Sequence, residues 1–277
     1  MFELVNKYHP DKVADRIAGA IVDLANTKQE DAIVAAEVLI GHGKCYIITE
    51  SSVEFNIKEI EDIVHRISQD NSIEVFLNDW PQDEHLAANQ KTDDKVGDNG
   101  IFRGMPLTHE QLTLMRIRDD LEEKYKSDGK YIIDERTSTL IVCQSHANTE
   151  ELRAYLLSKY PFQELIVNPL GDWTGGTDVD SGATNRKLGS DMGDAMTGGG
   201  LHGKDLSKAD ISVNIYLALT ARNLNTSVEG YCAIGDSAVR VMVNNRLVSF
   251  SCIKQAAKDY IKAVGGFEKF AEHGLMR

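Results

Sequence analysis

The chain has 277 residues, 42% of them hydrophobic, and a formal net charge of −13. That length supports a sizeable core in one to three domains, and the acidic balance argues against nucleic acid or an anionic membrane as the main partner. The longest apolar run has strand length, the first residues lack a signal peptide's apolar core, and Cys45, Cys143, Cys232 and Cys252 form no Cys-x-x-Cys pair, so a cytoplasmic protein with reduced, structural cysteines is expected.

His9-Pro10-Asp11-Lys12 opens the first helical pattern, with Ile17, Ile21 and Leu24 at helical spacing. Pro10 suits a helix entry, and a residue before proline avoids helical backbone, so His9 is expected to be extended at the helix mouth. A His and an Asp there can face a phosphate and its metal ion, or simply cap a surface helix. Residues Ile33–Ile40 read as a buried strand interrupted by Glu37, whose carboxylate then needs a partner or an ion. A turn at Gly41-His42-Gly43 leads to a strand over Lys44–Thr49 that ends at Glu50. Ile57, Ile60, Val64 and Ile67 mark one face of a helix, and a strand follows over Ile73–Leu77. The polar segment from Asn78 to Lys95, which carries Trp80, Pro81 and Gln82, reads as a mobile lid.

Gly97-Asp98-Asn99-Gly100 is a turn signature carrying one acid. The helix over Thr108–Lys126 has an acidic run read as a solvated face. Beyond it the pattern gives a strand over Ser138–Cys143, a helix over Thr149–Tyr160 and a strand over Glu164–Val167. The last third reads as a helix over Ser207–Asn223, strands over Val228–Ile234 and Ala238–Val243, and a helix over Ser251–Val264. Strand, strand, helix thus recurs three times, which points to three α+β units of similar design.

Between the second and third units lies Gly171–Asp210, which holds ten of the 22 glycines. Asp178, Asp180, Arg186, Lys187, Lys204, Lys208 and Asp210 punctuate it. Glycine lets backbone N–H groups approach a ligand and the cations neutralise anions, so the stretch reads as a polyphosphate cradle rather than a plain surface loop. Gly198–Lys204 fits the Gly-x-x-x-x-Gly-Lys of a P-loop, but Asp205 stands where a Ser or Thr would hold Mg²⁺. Gly198, Gly200 and Gly203 fit Gly-x-Gly-x-x-Gly without the hydrophobic strand that motif requires upstream. Both readings are rejected.

Four segments in this order resemble the S-adenosylmethionine synthetase (methionine adenosyltransferase) family. They are His9-Pro10-Asp11-Lys12 with Asp15, Gly97 to Gly100, Gly175 to Lys187 (GGTDVDSGATNRK) and Gly198 to Asp210 (GGGLHGKDLSKAD). The likeness runs nearly end to end, with departures. Tyr8 stands where the family has Gly before His-Pro-Asp-Lys, and Gly176 to Gly182 replaces Gly-Pro-Met-Gly-Asp-Cys-Gly. The family's Thr-Gly-Arg-Lys is Thr184-Asn185-Arg186-Lys187, Met196-Thr197 replaces an Arg-His pair, and the chain is shorter than usual.

The resemblance implies three similar α/β-sandwich domains in pseudo-threefold arrangement, placed here at residues 1–95, 96–172 and 173–277. It implies attack of the methionine sulfur on C5′ of ATP, release of tripolyphosphate and its hydrolysis to phosphate and diphosphate. ATP and L-methionine are then the substrates, Mg²⁺ and K⁺ the cofactors, and a homodimer or tetramer with interface sites the assembly. On the family's motifs His9, Arg186, Lys187, Lys204 and Lys208 match polyphosphate positions, with His9, Lys204, Lys208 and Arg186 as the catalytic set. Arg136 falls where the family usually has a Lys. Asp11 and Asp210 match Mg²⁺ ligands, whose hard oxygens suit that ion, and Glu37 matches the monovalent-cation site. Asp98, Trp173 and Ile234 match adenosine contacts; Glu50, Gln82, Asp180 and Lys208 match methionine contacts. The alternatives are a different ATP-polyphosphate enzyme and a non-catalytic or regulatory homologue.

Overall fold

The computed structural model describes residues 1–91, 95–242 and 246–277. Its first helix, α1 (Pro10–Lys28), begins where the sequence places it. His9 is extended at the N-cap, and its ring Nδ1 accepts the N–H of Asp11 at 3.2 Å. Most sides of α1 are buried, because it packs between the first sheet and the C-terminal end of the chain.

Each unit is built in the same order: a long helix, a hairpin, then a second helix. In the first, α1 precedes β2 (Val34–Gly41) and β3 (Lys44–Ser51), then α2 (Ile57–Ser68) and β4 (Glu74–Pro81), with β4 parallel to β3. The hairpin turns through His42 and Gly43, both at positive φ, as a tight two-residue turn demands. In the second unit α4 (His109–Lys124) precedes β6 (Gly129–Asp134) and β7 (Thr139–Gln144). Helix α5 (Thr149–Lys159) and β8 (Glu164–Val167), parallel to β7, complete it. In the third, α7 (Ala209–Leu224) precedes β10 (Val228–Cys232), β11 (Ala238–Val241), β12 (Arg246–Ser249) and α8 (Phe250–Val264). Capping boxes at Asn56/Glu59 and Thr108/Gln111 start α2 and α4.

A fourth strand completes each sheet from elsewhere in the chain. β1 (Phe2–Val5) precedes α1 but pairs antiparallel with β6 of the second unit. β5 (Gly100–Gly104) precedes α4 but pairs with β10 of the third, and β9 (Gly182–Ala183) precedes α7 but pairs with β2 of the first. Each unit thus hands one strand to the next, and the exchange closes in a ring. This is the pseudo-threefold α+β arrangement expected from the sequence. The exchange crosses the boundaries at 95/96 and 172/173, so a division of the chain there is proposed for segments of chain rather than for sheets.

Three cores lie between the sheets and their helices, and a fourth cluster joins them at the centre. The fourth is formed by Leu201 of the glycine-rich loop with Ile211, Ile215, Ile261, Phe270 and Leu275, from α7, α8, helix α9 (Phe267–His273) and the C-terminal tail. No helix among the described residues is long and apolar enough to cross a membrane.

Several expectations change. β2 is not a wholly buried strand: Val34, Ala36, Val38 and Ile40 face the core, while Glu37 and Leu39 face outward. The lid segment is strand up to Pro81 and then helix α3 (Glu84–Lys91), with 92–94 outside the described residues. The acidic run of α4 is not all solvated, because Glu122 is buried against Lys7 and His273. The cysteines are free, as expected; Cys45 and Cys232 are buried, Cys143 half-buried and Cys252 exposed.

Candidate active site

The N-terminus of α1 and the loop after β9 form one wall of a cleft of about 570 Å³. Asp11, on the first turn, is buried. Its Oδ1 accepts the N–H of Ala183 at 2.9 Å, and its Oδ2 lies 3.1 Å from Lys187 Nζ; Arg186 Nε is 3.7 Å from Oδ1. His9, Asp180 and Trp173 line the same cleft. Trp173 is half-buried, and its indole N–H donates to Asn168 at 3.1 Å. Six residues singled out from the sequence therefore converge here: His9, Asp11, Trp173, Asp180, Arg186 and Lys187.

Burial and the Lys187 ammonium push the His9 pKa down to about 4. The ring is neutral near pH 7, and because Nδ1 accepts from the backbone, its proton is assigned to Nε2, where it can be donated.

Asp128 and Lys130, which flank Gly129 at the start of β6, also line the cleft. The sequence reading missed both, since Ser127-Asp128-Gly129-Lys130 looks like an ordinary turn. Burial raises the Asp128 carboxyl to about 6; the Gly176 N–H partly offsets this, and Asp180 and Asp11 push it further up. The fold therefore holds a proton there more tightly than the unfolded chain does. The charged form costs stability progressively as pH rises through about 4 to 6, and fully above that. Asp128→Asn is accordingly expected to raise the melting temperature at about pH 8 and leave it unchanged near pH 3. Melting curves across that range check this; an equal shift at every pH would show that the carboxylate charge is not the cause.

A second group of expected residues collects on the other side of the glycine-rich stretch. Lys204 pairs with the buried Asp210, whose Oδ1 has no hydrogen-bond partner among the described residues. Gly199 leaves room for this carboxylate, since a Cβ there would collide with it. Lys208 caps α7. Nearby, the Ile234 N–H donates to Asn99 at 2.6 Å, which sets Ile234 beside exposed Asp98. Glu50 is the last residue but one of β3, and the Gln82 N–H donates to the carbonyl of Ser51, the last, at 3.2 Å. The Gln82 Oε1 is buried without a partner among the described residues.

Both groups hang on the free edge of β2. Leu39 pairs with Ala183 at one end, and Ala35 bridges Lys204 at the other. The two attachments are four residues apart along the strand, a spacing of about 13 Å. Glu37 lies between them on the exposed face and shares the Thr184 hydroxyl. Arg136 is not brought to the cleft. It is exposed beyond the far end of β6, paired with Asp134 at 3.1 Å, beside His109 and Glu110.

Beneath the cleft lies a buried ionic cluster. Lys12 Nζ is 2.6 Å from Asp191 and 3.0 Å from Asp15, and His202 Nε2 is 2.9 Å from Asp191. Asp15, Asp191 and His202 have ligand atoms close enough together to hold a metal ion. Lys12 Nζ, also 3.4 Å from His202 Nε2, already supplies the cation among them.

The comparisons with known proteins agree with this architecture. Residues 1–78 match the family model of the S-adenosylmethionine synthetase N-terminal domain. The chain is 30% identical to an S-adenosylmethionine synthase of Zymomonas mobilis, over 80% of this chain and 72% of that protein. It is 29% identical to one of Helicobacter pylori, over 83% and 74%. A solved structure described as an unusual S-adenosylmethionine synthetase from Campylobacter jejuni has the same fold, with a TM-score of 0.74 at 20% identity, covering 99% of this chain and 93% of that one. With this similarity spread across most of both chains and the fold shared, the chain belongs to the S-adenosylmethionine synthetase family.

Proposed function

We propose that the protein is a methionine adenosyltransferase that converts ATP, L-methionine and water to S-adenosylmethionine, phosphate and diphosphate. The observation that supports this best is the convergence of His9, Arg186 and Lys187 around Asp11 in a cleft that also holds Trp173. The nucleophile is a neutral thioether and needs no base. Its sulfur lone pair forms the bond to C5′ while the C5′–O bond breaks, and that electron pair leaves with the tripolyphosphate. Lowering the barrier therefore requires alignment and positive charge around the leaving group. Arg186 and Lys187 supply charge on one side, Lys204 and Lys208 on the other. Trp173, Asp98 and Ile234 hold adenosine; Glu50, Gln82, Asp180 and Lys208 hold methionine. Water then cleaves the tripolyphosphate in the same cationic surround.

The buried Oδ1 of Asp210, without a hydrogen-bond partner among the described residues, fits a hard divalent cation, and Asp210 and Asp11 are the residues that would hold Mg²⁺; Glu37 would hold K⁺. When bound, these ions supply further neutralisation of the polyphosphate. Asp210→Asn is expected to raise the Mg²⁺ concentration needed for half-maximal activity by about tenfold or more, with the fold intact by circular dichroism. An unchanged Mg²⁺ titration would remove Asp210 from the site.

The two cation groups sit apart on one chain, and each site is proposed to combine the cleft of one protomer with the Lys204 group of its partner, in a homodimer or tetramer. The outer faces of two sheets support this. One exposes Leu39, Tyr46, Ile48, Phe76 and Trp80, the other Ile101, Tyr231 and Leu247, large apolar side chains of the kind that mark an interaction face. Sedimentation is expected to show at least a dimer; a fully active monomer would refute the shared site. The reaction itself is tested by incubating the protein with ATP, methionine, Mg²⁺ and K⁺. S-adenosylmethionine with phosphate and diphosphate is expected. ADP would indicate a γ-phosphate enzyme, and no product a non-catalytic homologue.

A further inference from the structure

We propose that Asn185 is a positioning residue that locks the Arg186–Lys187 loop to the loop carrying Lys204. The proposal rests on the transferase reading above, in which both loops serve the polyphosphate. Asn185 stands where the related pattern has glycine, and its backbone is left-handed, with φ of 63°. Asparagine tolerates that region better than most side chains, yet glycine adopts it at no cost, so the carboxamide calls for a role.

Its contacts supply one. The side-chain Oδ1 accepts the His202 N–H at 2.9 Å, and Nδ2 donates to the His202 carbonyl at 3.2 Å. The carboxamide thus satisfies both backbone groups of one residue, as a neighbouring strand would. The Asn185 backbone N–H donates to Asp15 Oδ1 at 2.7 Å, and the His202 ring is tied to Asp191, so both ends of the clip are anchored in the buried Lys12 cluster. Gly200 makes the space. A Cβ on it would collide with the Asn185 carboxamide, and Gly200 is not among the glycines at positive φ, so its lack of a side chain is a matter of room.

The clip lies between two attachments to the β2 edge. Thr184 N–H donates to Val38 at 3.0 Å, and Ala36 N–H donates to Gly203 at 2.7 Å. One residue past Asn185 comes Arg186, and two past His202 comes Lys204. In the shared arrangement proposed above, the two loops of one protomer face two different sites, and pairing Asn185 to His202 fixes how that protomer presents Arg186 and Lys187 to one site and Lys204 to the other. Without it each loop keeps its own contacts with β2 and the buried cluster but loses its tie to the other loop, and the polyphosphate-binding charges of both sites can shift.

The test is Asn185→Gly, which keeps the backbone conformation and deletes only the clip, together with Gly200→Ala, which crowds it from the other side. Amide hydrogen exchange over residues 200–204 and calorimetric binding of inorganic tripolyphosphate with Mg²⁺ are measured on the full chain. Asn185→Gly is expected to speed exchange there and to weaken tripolyphosphate binding, each by about tenfold, as loss of two hydrogen bonds implies. Gly200→Ala is expected to do the same alone and to add nothing in the Asn185→Gly background, because the carboxamide it displaces is gone. Unchanged exchange, wild-type tripolyphosphate affinity in Asn185→Gly, or additive losses in the double variant would each overturn the proposal. A wild-type chain that binds no tripolyphosphate would instead sink the transferase reading, and the exchange measurement still reads the clip.

Discussion

Replacing His9 with asparagine is expected to slow formation of S-adenosylmethionine about a hundredfold or more, the usual result of losing one hydrogen-bond donor to a developing oxyanion. His9 has two roles that the substitution separates. Nδ1 caps α1 by accepting the Asp11 N–H, and asparagine is among the best residues for that role. His9 lines the cleft with Lys187 and Arg186, and Nε2 carries the proton of the neutral ring. A bond from Nε2 to the oxygen leaving C5′ strengthens as negative charge builds there, so its loss lowers kcat more than it raises KM. Hydrolysis of added tripolyphosphate breaks a bond farther along the chain and should slow much less. Both rates are measured on one preparation, with circular dichroism as the check on folding. Equal losses would make His9 a general polyphosphate contact; no loss would leave it a cap.

Lys12→Met is expected to destabilise the fold by about 3–5 kcal/mol, the cost of breaking a buried ion pair from one side. In a chain of this size that lowers the melting temperature by about 10 °C. Burial alone would push the Lys12 pKa down, but Asp15 and Asp191 outweigh it and hold the ammonium charged. Burial likewise works against the Asp191 carboxylate, and Lys12 and His202 outweigh it, keeping the pKa down at about 2. The folded pKa lies below the ordinary 3.8, so this stabilisation is complete above about pH 4 and is lost as pH falls through about 2. Methionine fills similar space but leaves two buried carboxylates without their ammonium, with the His202 ring still beside them. The gap between wild type and variant should therefore be widest near neutral pH and narrow as acid protonates Asp191. A melting temperature unchanged at pH 7 would mean that the cluster is not what holds α1, α6 (Leu188–Met192) and the His202 loop together.

Lys12 also shows how far local reading reaches. In the sequence it is one letter of a motif whose neighbours are expected at a phosphate. In the fold it points the other way, into the protein, because the helix turns its side chain away from Asp11 and toward Asp15 one turn on. That separation of two adjacent residues into one that lines the cleft and a buried counter-ion follows from helical geometry, but the counter-ion's partners Asp191 and His202 are nearly two hundred residues away.

What the sequence determined by itself is what depends on neighbours a few residues apart. The mouth of α1 follows from Pro10 and the extended His9. The core face of α2 follows from apolar spacing at Ile60, Val64 and Ile67, though Ile57 is exposed, and the hairpin follows from a turn of two residues at positive φ. The four motif segments carry the family and, through it, the fold. Only the tertiary structure decided which distant pieces meet. Short strands such as β1 and β9 have too few residues for a periodic signal, and what recruits them is an unpaired sheet edge more than a hundred residues away. The same competition for the edge of β2 hangs the two cation loops side by side, and leaves space at Gly200 for Asn185 to join them. It also put Lys130 rather than Arg136 in the cleft. β1 pairs with β6 so that the chain leaving Val5 for His9 runs past Gly129, while Arg136 lies beyond the opposite end of the strand. Spacing along the chain carries no information about which end of a strand faces the site; the register of pairing does.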